Sequence, residues 1–254
     1  MVIEPQRHGR VELLRINRPE ARNAVNDEVS KEMEAALDVA EEDDDVSVVV
    51  ITGTDGIFSA GADLKMIAQG RGAELGTIRG GFAGLTTREF PKPLIAAVNG
   101  PALAGGLEVV LACDLVVAAD TARFGIPEVQ RGLFAAAGAL IRLPKRIATA
   151  LAMELALTGE PISAQRAFDV GLVNQVVPQD QVLERALALA KRISENGPVA
   201  VRKTLKMLRE APDLTEPAAW ARNYELAVEV FATDDATEGA VAFAEKRAPR
   251  WSGH

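Results

Sequence analysis

Two apolar strands separated by one amphipathic helix limit the architecture of this chain more than any other feature. VELLRI (11–16) and SVVVITG (47–53) are rich in apolar and β-branched residues, which is typical of strands buried on both faces. A strand–helix–strand unit of this kind places its two strands parallel in one sheet. The apolar stripe of the helix between them consists of Val29, Met33, Ala36, Leu37 and Ala40.

The alternation of strands and helices continues to about residue 180 and predicts an α/β layered domain. The next predicted elements are a strand at 94–100, an apolar helix at 106–114, a strand at 114–120 and a helix at 145–157. A short helix that Ser163 caps and Gly171 ends then precedes a strand that stops at Pro178.

Beyond residue 180 the remaining segments have only helical patterns, and Gly and Pro residues separate them. We therefore expect a boundary near 195, with an α/β core containing the active site at 1–195 and a C-terminal helical region at 196–254. A region this short cannot bury all its apolar faces alone. We expect it to pack on the core, on another subunit, or on both.

The charge balance argues against two classes of partner. Lys and Arg number 28 and Asp and Glu number 36, so the net charge is −8, which gives no global attraction to nucleic acid or to an anionic membrane. The first residues lack the apolar block of a signal peptide, and no apolar run approaches the roughly 18 residues that a membrane helix needs. With one cysteine, the sequence predicts a cytoplasmic protein.

The scarcity of histidine and cysteine excludes several kinds of active site. His8 and His254 lie near the two ends of the chain, and Cys113 lies alone in an apolar run. A Ser-His-Asp triad, a His-rich zinc site and a Cys-Cys metal clamp are therefore not expected. We expect carboxylates to carry the acid–base chemistry and backbone amides to stabilise charge, with no metal site.

Two strand-to-helix turns are rich in small residues: FSAGADL (58–64) and NGPALAGGLEVV (99–110). Small side chains let a ligand approach the backbone, and the first amides of a helix point outward without partners. Two such turns that face one point would offer two N–H donors to a developing oxyanion. Close packing of a strand on a helix is the alternative explanation for each turn.

Two glutamates near these turns are candidates for proton transfer. Glu108 is the only charged residue from 101 to 112, and a lone carboxylate on a buried helix is costly unless it is paired or functional. The alternative for Glu108 is hydrogen bonding to the first-turn amides of its own helix. Glu128 follows Pro127, so capping of a helix start is its alternative role.

Six glycines fall between residues 70 and 84, without a fixed period. Such a segment is either a flexible surface connection or a mobile lid over a pocket, and the residues alone favour neither interpretation.

Four motifs together resemble the crotonase (enoyl-CoA hydratase/isomerase) superfamily, over a stretch from about residue 11 to the end. They are FSAGADLKMI, VNGPALAGGLEVVLACDLVVAADTARFGIPEV, LTGEPISAQRAFDVGLVNQVVP and EGAVAFAEKRAPRW. The resemblance implies a crotonase-like α/β spiral of β-β-α repeats. It also implies an acyl-CoA thioester substrate, no separate cofactor, and a C-terminal helical region that assembles homotrimers or dimers of trimers.

The resemblance also implies a role for individual residues. The amides of Ala62 and Gly105 would form the hole that binds the thioester oxygen. Hydratases of the family carry two glutamates that are twenty residues apart, and Glu108 and Glu128 have this spacing. By this resemblance, Glu108 would activate water and Glu128 would exchange a proton with Cα of the substrate. The positions implied for CoA and substrate binding are Ala24, Ala60, Asp63 and Leu64 in one groove. Phe243 and Lys246 match C-terminal positions where a neighbouring subunit commonly reaches CoA, and an ordinary solvated lysine is the alternative for Lys246.

One departure from the family pattern leaves the reaction subtype open. Hydratases usually continue after the second glutamate to a Pro-Gly-Ala-Gly-Gly-Thr run, whereas this chain has GLFAAAGAL, with Ala135 and Ala136 in place of Pro-Gly. Hydration of a trans-2-enoyl-CoA of the fatty acid β-oxidation type is the leading hypothesis. The alternatives are a specialised acyl-CoA dehydratase or double-bond isomerase, and a non-catalytic acyl-CoA-binding protein.

Overall fold

A six-stranded sheet forms the centre of the protein, which a computed structural model describes over residues 1–254. Its strand order is β1-β2-β3-β6-β8-β11, and all neighbours are parallel except β1 and β2. All six residues of β3 are buried, as the apolar run 47–53 predicts. The strands of this sheet are β1 Ile3–His8, β2 Val11–Ile16, β3 Val48–Gly53, β6 Leu94–Val98, β8 Leu115–Ala119 and β11 Gln175–Val177.

The first strand, β1, is the one strand of this sheet that the sequence analysis does not contain. It pairs antiparallel with β2 at the edge of the sheet, where Pro5 lies opposite Leu14. Most of its side chains are exposed, so it lacks the alternation that reveals a half-buried strand. Proline is tolerated at this position because an edge strand does not need every N–H for the ladder.

Two small sheets complete the strands. One has the order β10-β9-β7, with Ala102 opposite Phe124 between the parallel strands β7 and β9. The other is a hairpin of β4 and β5 within the glycine-rich segment. Their strands are β4 Gly76–Thr77, β5 Gly81–Phe82, β7 Ala102–Leu103, β9 Arg123–Gly125 and β10 Ile162–Ser163.

Helix α1 connects β2 to β3 and confirms the strand–helix–strand prediction. It begins after Asn26, whose side chain accepts a hydrogen bond from the Val29 amide, and its buried residues include Val29, Met33, Leu37 and Ala40. Of the predicted stripe, Ala36 is only half-buried. The ten helices are α1 Asp27–Glu42, α2 Leu64–Ala68, α3 Gly105–Ala112, α4 Ala139–Arg146, α5 Thr149–Thr158, α6 Ala164–Asp169, α7 Val182–Ser194, α8 Pro198–Glu210, α9 Glu216–Phe231 and α10 Asp234–Glu245.

The prediction of one helix over 145–157 is wrong. Two helices, α4 and α5, share these residues, because α4 begins earlier and Lys145 and Arg146 form its basic last turn. Ile147 is extended and 6% exposed, so the chain turns there to place this side chain in the core. The Ser163 cap of α6 and the stop at Gly171, where φ is +80°, are confirmed.

The chain is helical after β11, as predicted. Helix α7 packs on β3, β6 and β8, whereas α8 and α9 pack mainly on each other. No helix combines the length and the hydrophobicity that a membrane-spanning helix needs. The predicted boundary near 195 stays a prediction. Large apolar side chains exposed in the C-terminal helices are Leu208, Trp220, Tyr224, Val228, Phe231, Val241 and Phe243.

Candidate active site

The two glycine- and alanine-rich turns lie side by side because they follow neighbouring strands. The turn at 58–64 follows β3 and the turn at 99–104 follows β6, and these strands are parallel partners. Both turns therefore leave the same end of the sheet, which is where open α/β sheets bind ligands. Backbone bonds join them: the Ser59 amide donates to Pro101 O at 3.3 Å, and the Leu103 amide donates to Ser59 O at 3.1 Å.

The amides of Ala62 and Gly105 are close together and have no partner within the chain. A Cβ built on Gly105 would lie 3.4 Å from the Ala62 nitrogen. Neither amide donates a hydrogen bond to another group of the protein. Gly105 is the first residue of α3, so its N–H is one of the amides that a helix leaves unpaired. The structure thus brings together the two donors that the sequence analysis predicts.

Close backbone contact explains the glycines at this point. A Cβ on Gly106 would lie 2.3 Å from Ser59 O, and one on Gly61 would lie 2.7 Å from the Gly105 nitrogen. Ala104, which precedes α3, has φ 52° and ψ −128°, a conformation that L-residues rarely adopt. Strained backbone of this kind persists where the surrounding structure enforces it, and it is common at functional sites.

Glu108 lies in the first turns of α3 and is 4% exposed. Its Oε1 accepts hydrogen bonds from the Ala137 amide at 2.7 Å and the Ala139 amide at 3.1 Å. The alternative role, satisfying amides of its own helix, is therefore wrong: the donors are Ala137, in the turn before α4, and Ala139, the first residue of α4. Burial raises the pKa of Glu108, and the two amides and the charge of Arg142 oppose that rise.

Glu128 lies in a 3-10 helix, Pro127–Arg131, that directly follows β9. It is half-buried, and its Oε2 is buried without a hydrogen-bond partner. Burial raises the pKa of this carboxyl, its own backbone amide opposes the rise, and the negative charge of Glu108 raises the pKa further. The charge of Arg131 acts in the opposite direction. The two glutamates are therefore electrostatic neighbours with different surroundings.

The groove residues near Ala62 are also brought together. The Ala60 amide donates to Arg22 O, and the Val25 amide donates to Gly61 O at 2.8 Å, so the segments 22–25 and 60–63 run side by side. Ala24 is 8% exposed and Leu64 is 48% exposed. Their contact with CoA stays a prediction.

Asp63 has a structural role that its sequence context does not reveal. Its side chain accepts a hydrogen bond from the Lys65 amide and so caps α2. Its Oδ2 also lies 3.2 Å from Arg18 Nη2. The same guanidinium donates to Ala24 O at 2.5 Å, so Arg18 joins the two sides of the predicted groove.

Phe243 and Lys246 lie at the end of α10, apart from this cluster. Both are exposed, Phe243 to 87% of its surface, and Lys246 ends the helix with φ 56°. Helix α10 packs against α9 and against C-terminal residues such as Trp251. The predicted contact of these two side chains with CoA in a neighbouring subunit stays a prediction.

Two residues of the site are absent from the sequence analysis. Phe82, in β5, places its ring against Gly105, with Cζ 2.5 Å from where a Cβ would lie. Arg142, in α4, donates to Thr86 O at 2.5 Å and to Ala137 O at 3.4 Å. A lone aromatic residue among glycines and an arginine on an amphipathic helix give no sequence signal for these contacts.

The glycine-rich segment is anchored to α1. The carboxylate of Glu34 accepts hydrogen bonds from the Thr77 hydroxyl and, at 2.8 Å, from the Gly80 amide. A Cβ on Gly84 would lie 2.2 Å from Ser30 O, so this glycine allows close packing on the helix. These contacts attach residues 77–84 to α1, and the choice between a surface connection and a lid stays open.

The chain is similar to known proteins over nearly its whole length. The family model described as enoyl-CoA hydratase/isomerase matches residues 6–254. Enoyl-CoA hydratase EchA19 of Mycobacterium tuberculosis is 41% identical over 97% of this chain and 94% of its own length. The 2,3-dehydroadipyl-CoA hydratase of Escherichia coli is also 41% identical, over 97% of each chain.

A solved structure extends the comparison to the fold. The crystal structure of an enoyl-CoA hydratase from Mycobacterium tuberculosis H37Rv superposes with a TM-score of 0.95 at 46% identity. The match covers 100% of this chain and 99% of that one. The match over nearly the whole sequence and the whole fold leads to one conclusion: the chain is a member of the enoyl-CoA hydratase/isomerase (crotonase) family.

Proposed function

We propose that this enzyme catalyses the reversible syn addition of water to a trans-2-enoyl-CoA, giving a 3-hydroxyacyl-CoA. The observation that carries the proposal is the pair formed by buried Glu108 and half-buried Glu128, together with two unpaired backbone amides. Two carboxyls with different surroundings suit a reaction that needs one base and one acid. The names of the relatives, which include hydratases of enoyl-CoA and of dehydroadipyl-CoA, support the same reaction class.

The amides of Ala62 and Gly105 would hold the thioester oxygen. As water adds to Cβ, negative charge moves to this oxygen, and preorganised N–H donors stabilise it most in the enolate-like transition state. The start of α3 adds the positive end of a helix dipole. Each such donor contributes about 2.7–4 kcal/mol to transition-state stabilisation.

The different surroundings of the two glutamates indicate which of them takes a proton from water and which delivers one to Cα. Glu108 accepts two amide hydrogen bonds and faces the charge of Arg142, so its anion is the better stabilised and can take a proton from water. Glu128 has an oxygen without a partner, and burial and the charge of Glu108 raise its pKa, so it holds a proton more readily than an exposed glutamate and can deliver it to Cα. In the reverse reaction the two roles exchange.

The turn that departs from the family pattern supports catalysis in this proposal. Ala137 and Ala139 donate their amides to Glu108 although alanines stand at 135 and 136. A carboxylate held in this way is available to orient water, which favours the hydratase over the non-catalytic binder. No metal or redox cofactor has a role in the proposed reaction, because CoA is part of the substrate.

We also propose that the enzyme works as a homotrimer or a dimer of trimers. The exposed aromatic residues of α9, such as Trp220 and Tyr224, are typical of a covered face. In this arrangement Phe243 and Lys246 would contact the CoA bound by a neighbouring subunit. Sedimentation of the full-length protein tests the assembly directly.

The test of the reaction replaces each glutamate by its isosteric amide. Glu108→Gln and Glu128→Gln are each expected to lower kcat by about 10²–10⁴-fold, the usual contribution of a positioned acid or base. Binding of the CoA ester should change little. The exposed Glu184 on α7 gives a matched control, Glu184→Gln. Turnover near that of the wild type in either active-site variant would contradict the proposal.

A further inference from the structure

Arg142 is a half-buried cation that has no acidic partner within ion-pair distance. Its guanidinium bonds instead to two backbone carbonyls, Thr86 O at 2.5 Å and Ala137 O at 3.4 Å. None of the ion pairs of the protein includes it. A buried guanidinium is costly, so a reason for its retention is expected in what it contacts.

The two carbonyls belong to two different walls of the site. Thr86 lies four residues after Phe82, whose ring packs on Gly105. Ala137 lies in the turn whose amides hold Glu108. Arg142 therefore joins the segment beside the oxyanion hole to the turn that orients the proposed base.

The turn from Ala137 to Ala139 is held on two sides. Its amides point to Glu108, and the carbonyl of Ala137 points to Arg142. Between them, Gly138 has φ +112°, and a Cβ there would lie 2.1 Å from Arg142 Nη1. Only glycine allows the guanidinium to approach the turn this closely, so the fit depends on Gly138 and Arg142 together.

We propose that Arg142 is a positioning residue for the hydration reaction, which fixes the Ala137–Ala139 turn against Glu108 and supplies the positive charge that faces this carboxylate. The inference rests on the proposed function, because it assigns Glu108 as the base. Two ionisable groups face Glu108 from the neighbouring elements, Arg142 of α4 and Glu128 of the 3-10 helix, and Arg131 faces Glu128 in turn. Of these, only Arg142 favours the Glu108 anion.

Two substitutions separate the charge of Arg142 from its geometry. Arg142→Gln removes the charge, so the acidic limb of the kcat/KM–pH profile should move to higher pH, because Glu108 then binds its proton more readily. Arg142→Lys keeps the charge but loses the planar fork that reaches both carbonyls. In Arg142→Lys the acidic limb of the kcat/KM–pH profile should stay near its wild-type position, while kcat should fall about 10- to 100-fold because a catalytic group is misplaced.

Arg146→Gln is the matched control. Arg146 is a second half-buried arginine of α4, one turn further on, and it donates to the Cys113 carbonyl. Its charge faces Cys113, Asp114 and Arg209 and does not contribute to the pKa of Glu108. The acidic limb of this variant should stay at the wild-type position.

A second readout needs no turnover. Methyl NMR of Ala137 and Ala139 in the intact protein reports the ionisation of Glu108, because both residues donate their amides to it. In a Glu128→Gln background the midpoint of this titration should lie at higher pH with Arg142→Gln than with Arg142 intact. If no enoyl-CoA is hydrated, the proposed function is wrong. The midpoint still shows whether the charge of Arg142 acts on Glu108, because it does not depend on turnover.

Two results would overturn the inference. One is that Arg142→Gln leaves unchanged both the midpoint of the Glu108 titration and the acidic limb of the kcat/KM–pH profile. The other is a wild-type kcat for Arg142→Lys. If Arg142→Gln does not fold, the kcat and pH profile of Arg142→Lys decide alone: a lowered kcat with a wild-type limb supports the role, and an unchanged kcat removes it.

Discussion

Gly105→Ala places one methyl group in the proposed oxyanion hole. A Cβ at this position lies 2.5 Å and 2.6 Å from two carbons of the Phe82 ring and 3.4 Å from the Ala62 nitrogen. Gly105 does not have a positive φ, so alanine can adopt its backbone conformation. The ring must move, and the new methyl group then occupies space beside both proposed donors.

The expected losses of activity and of stability differ in size. Overpacking by one methyl group costs about 1–3 kcal/mol of unfolding free energy. Loss of one oxyanion donor lowers kcat by about 10²–10³-fold, which corresponds to about 2.7–4 kcal/mol. Gly105→Ala should therefore remain folded while hydration, followed by loss of absorbance of the conjugated thioester, nearly stops.

A double variant and a control separate the two effects. Removing the ring with Phe82→Ala gives the methyl group room, so Gly105→Ala should cost less stability in the Phe82→Ala background than in the wild type, while its effect on kcat should be the same in both. Gly72→Ala is the matched control, because its Cβ would meet nothing closer than Ile67 Cγ1 at 3.9 Å. A folded Gly105→Ala enzyme with kcat within a few-fold of the wild type would show that these two amides do not hold the thioester oxygen.

Two further predictions concern stability. Glu34→Gln removes the charge that accepts hydrogen bonds from the Thr77 hydroxyl and the Gly80 amide, so it should lower the unfolding free energy, measured in urea, by about 1 kcal/mol or more. Glu184→Gln, at an exposed position, is the control. An equal effect of the two substitutions would contradict the anchoring of the glycine-rich segment by Glu34. Glu128→Gln should instead stabilise the protein at pH values above 4.5, the ordinary pKa of a glutamate. Folding raises the pKa of Glu128, so the wild type loses stability as the pH rises through that raised value. The gain in melting temperature should shrink as the pH falls below 4.5, and a gain that does not depend on pH would contradict the assignment.

Much of the site could be predicted from the sequence because its parts have strong local signals. Glu108 stands out as a lone charge on an apolar helix, and its burial in the structure agrees with that signal. The small residues of the two turns predict close backbone approach, and the parallel pairing of β3 and β6 brings the turns together. These inferences need only residue type and chain order.

The remainder depends on contacts between distant segments. The donors to Glu108 come from Ala137 and Ala139, about thirty residues further along the chain, and no local pattern indicates them. Phe82 lies at the site because the glycine-rich segment is anchored to α1, and Arg142 lies there because of where α4 begins. The turn at Ile147, which divides the predicted helix 145–157, depends likewise on tertiary packing.

The most direct test of hydration by this enzyme follows the oxygen atom of water into the product. The wild-type protein is incubated with crotonyl-CoA in water enriched in ¹⁸O, and the product is analysed by mass spectrometry. We expect a 3-hydroxyacyl-CoA that carries one ¹⁸O atom from the wild type, and almost none of this product from Glu108→Gln. An isomerised thioester without ¹⁸O, or equal ¹⁸O incorporation by wild type and variant, would contradict the claim that Glu108 directs water to the double bond.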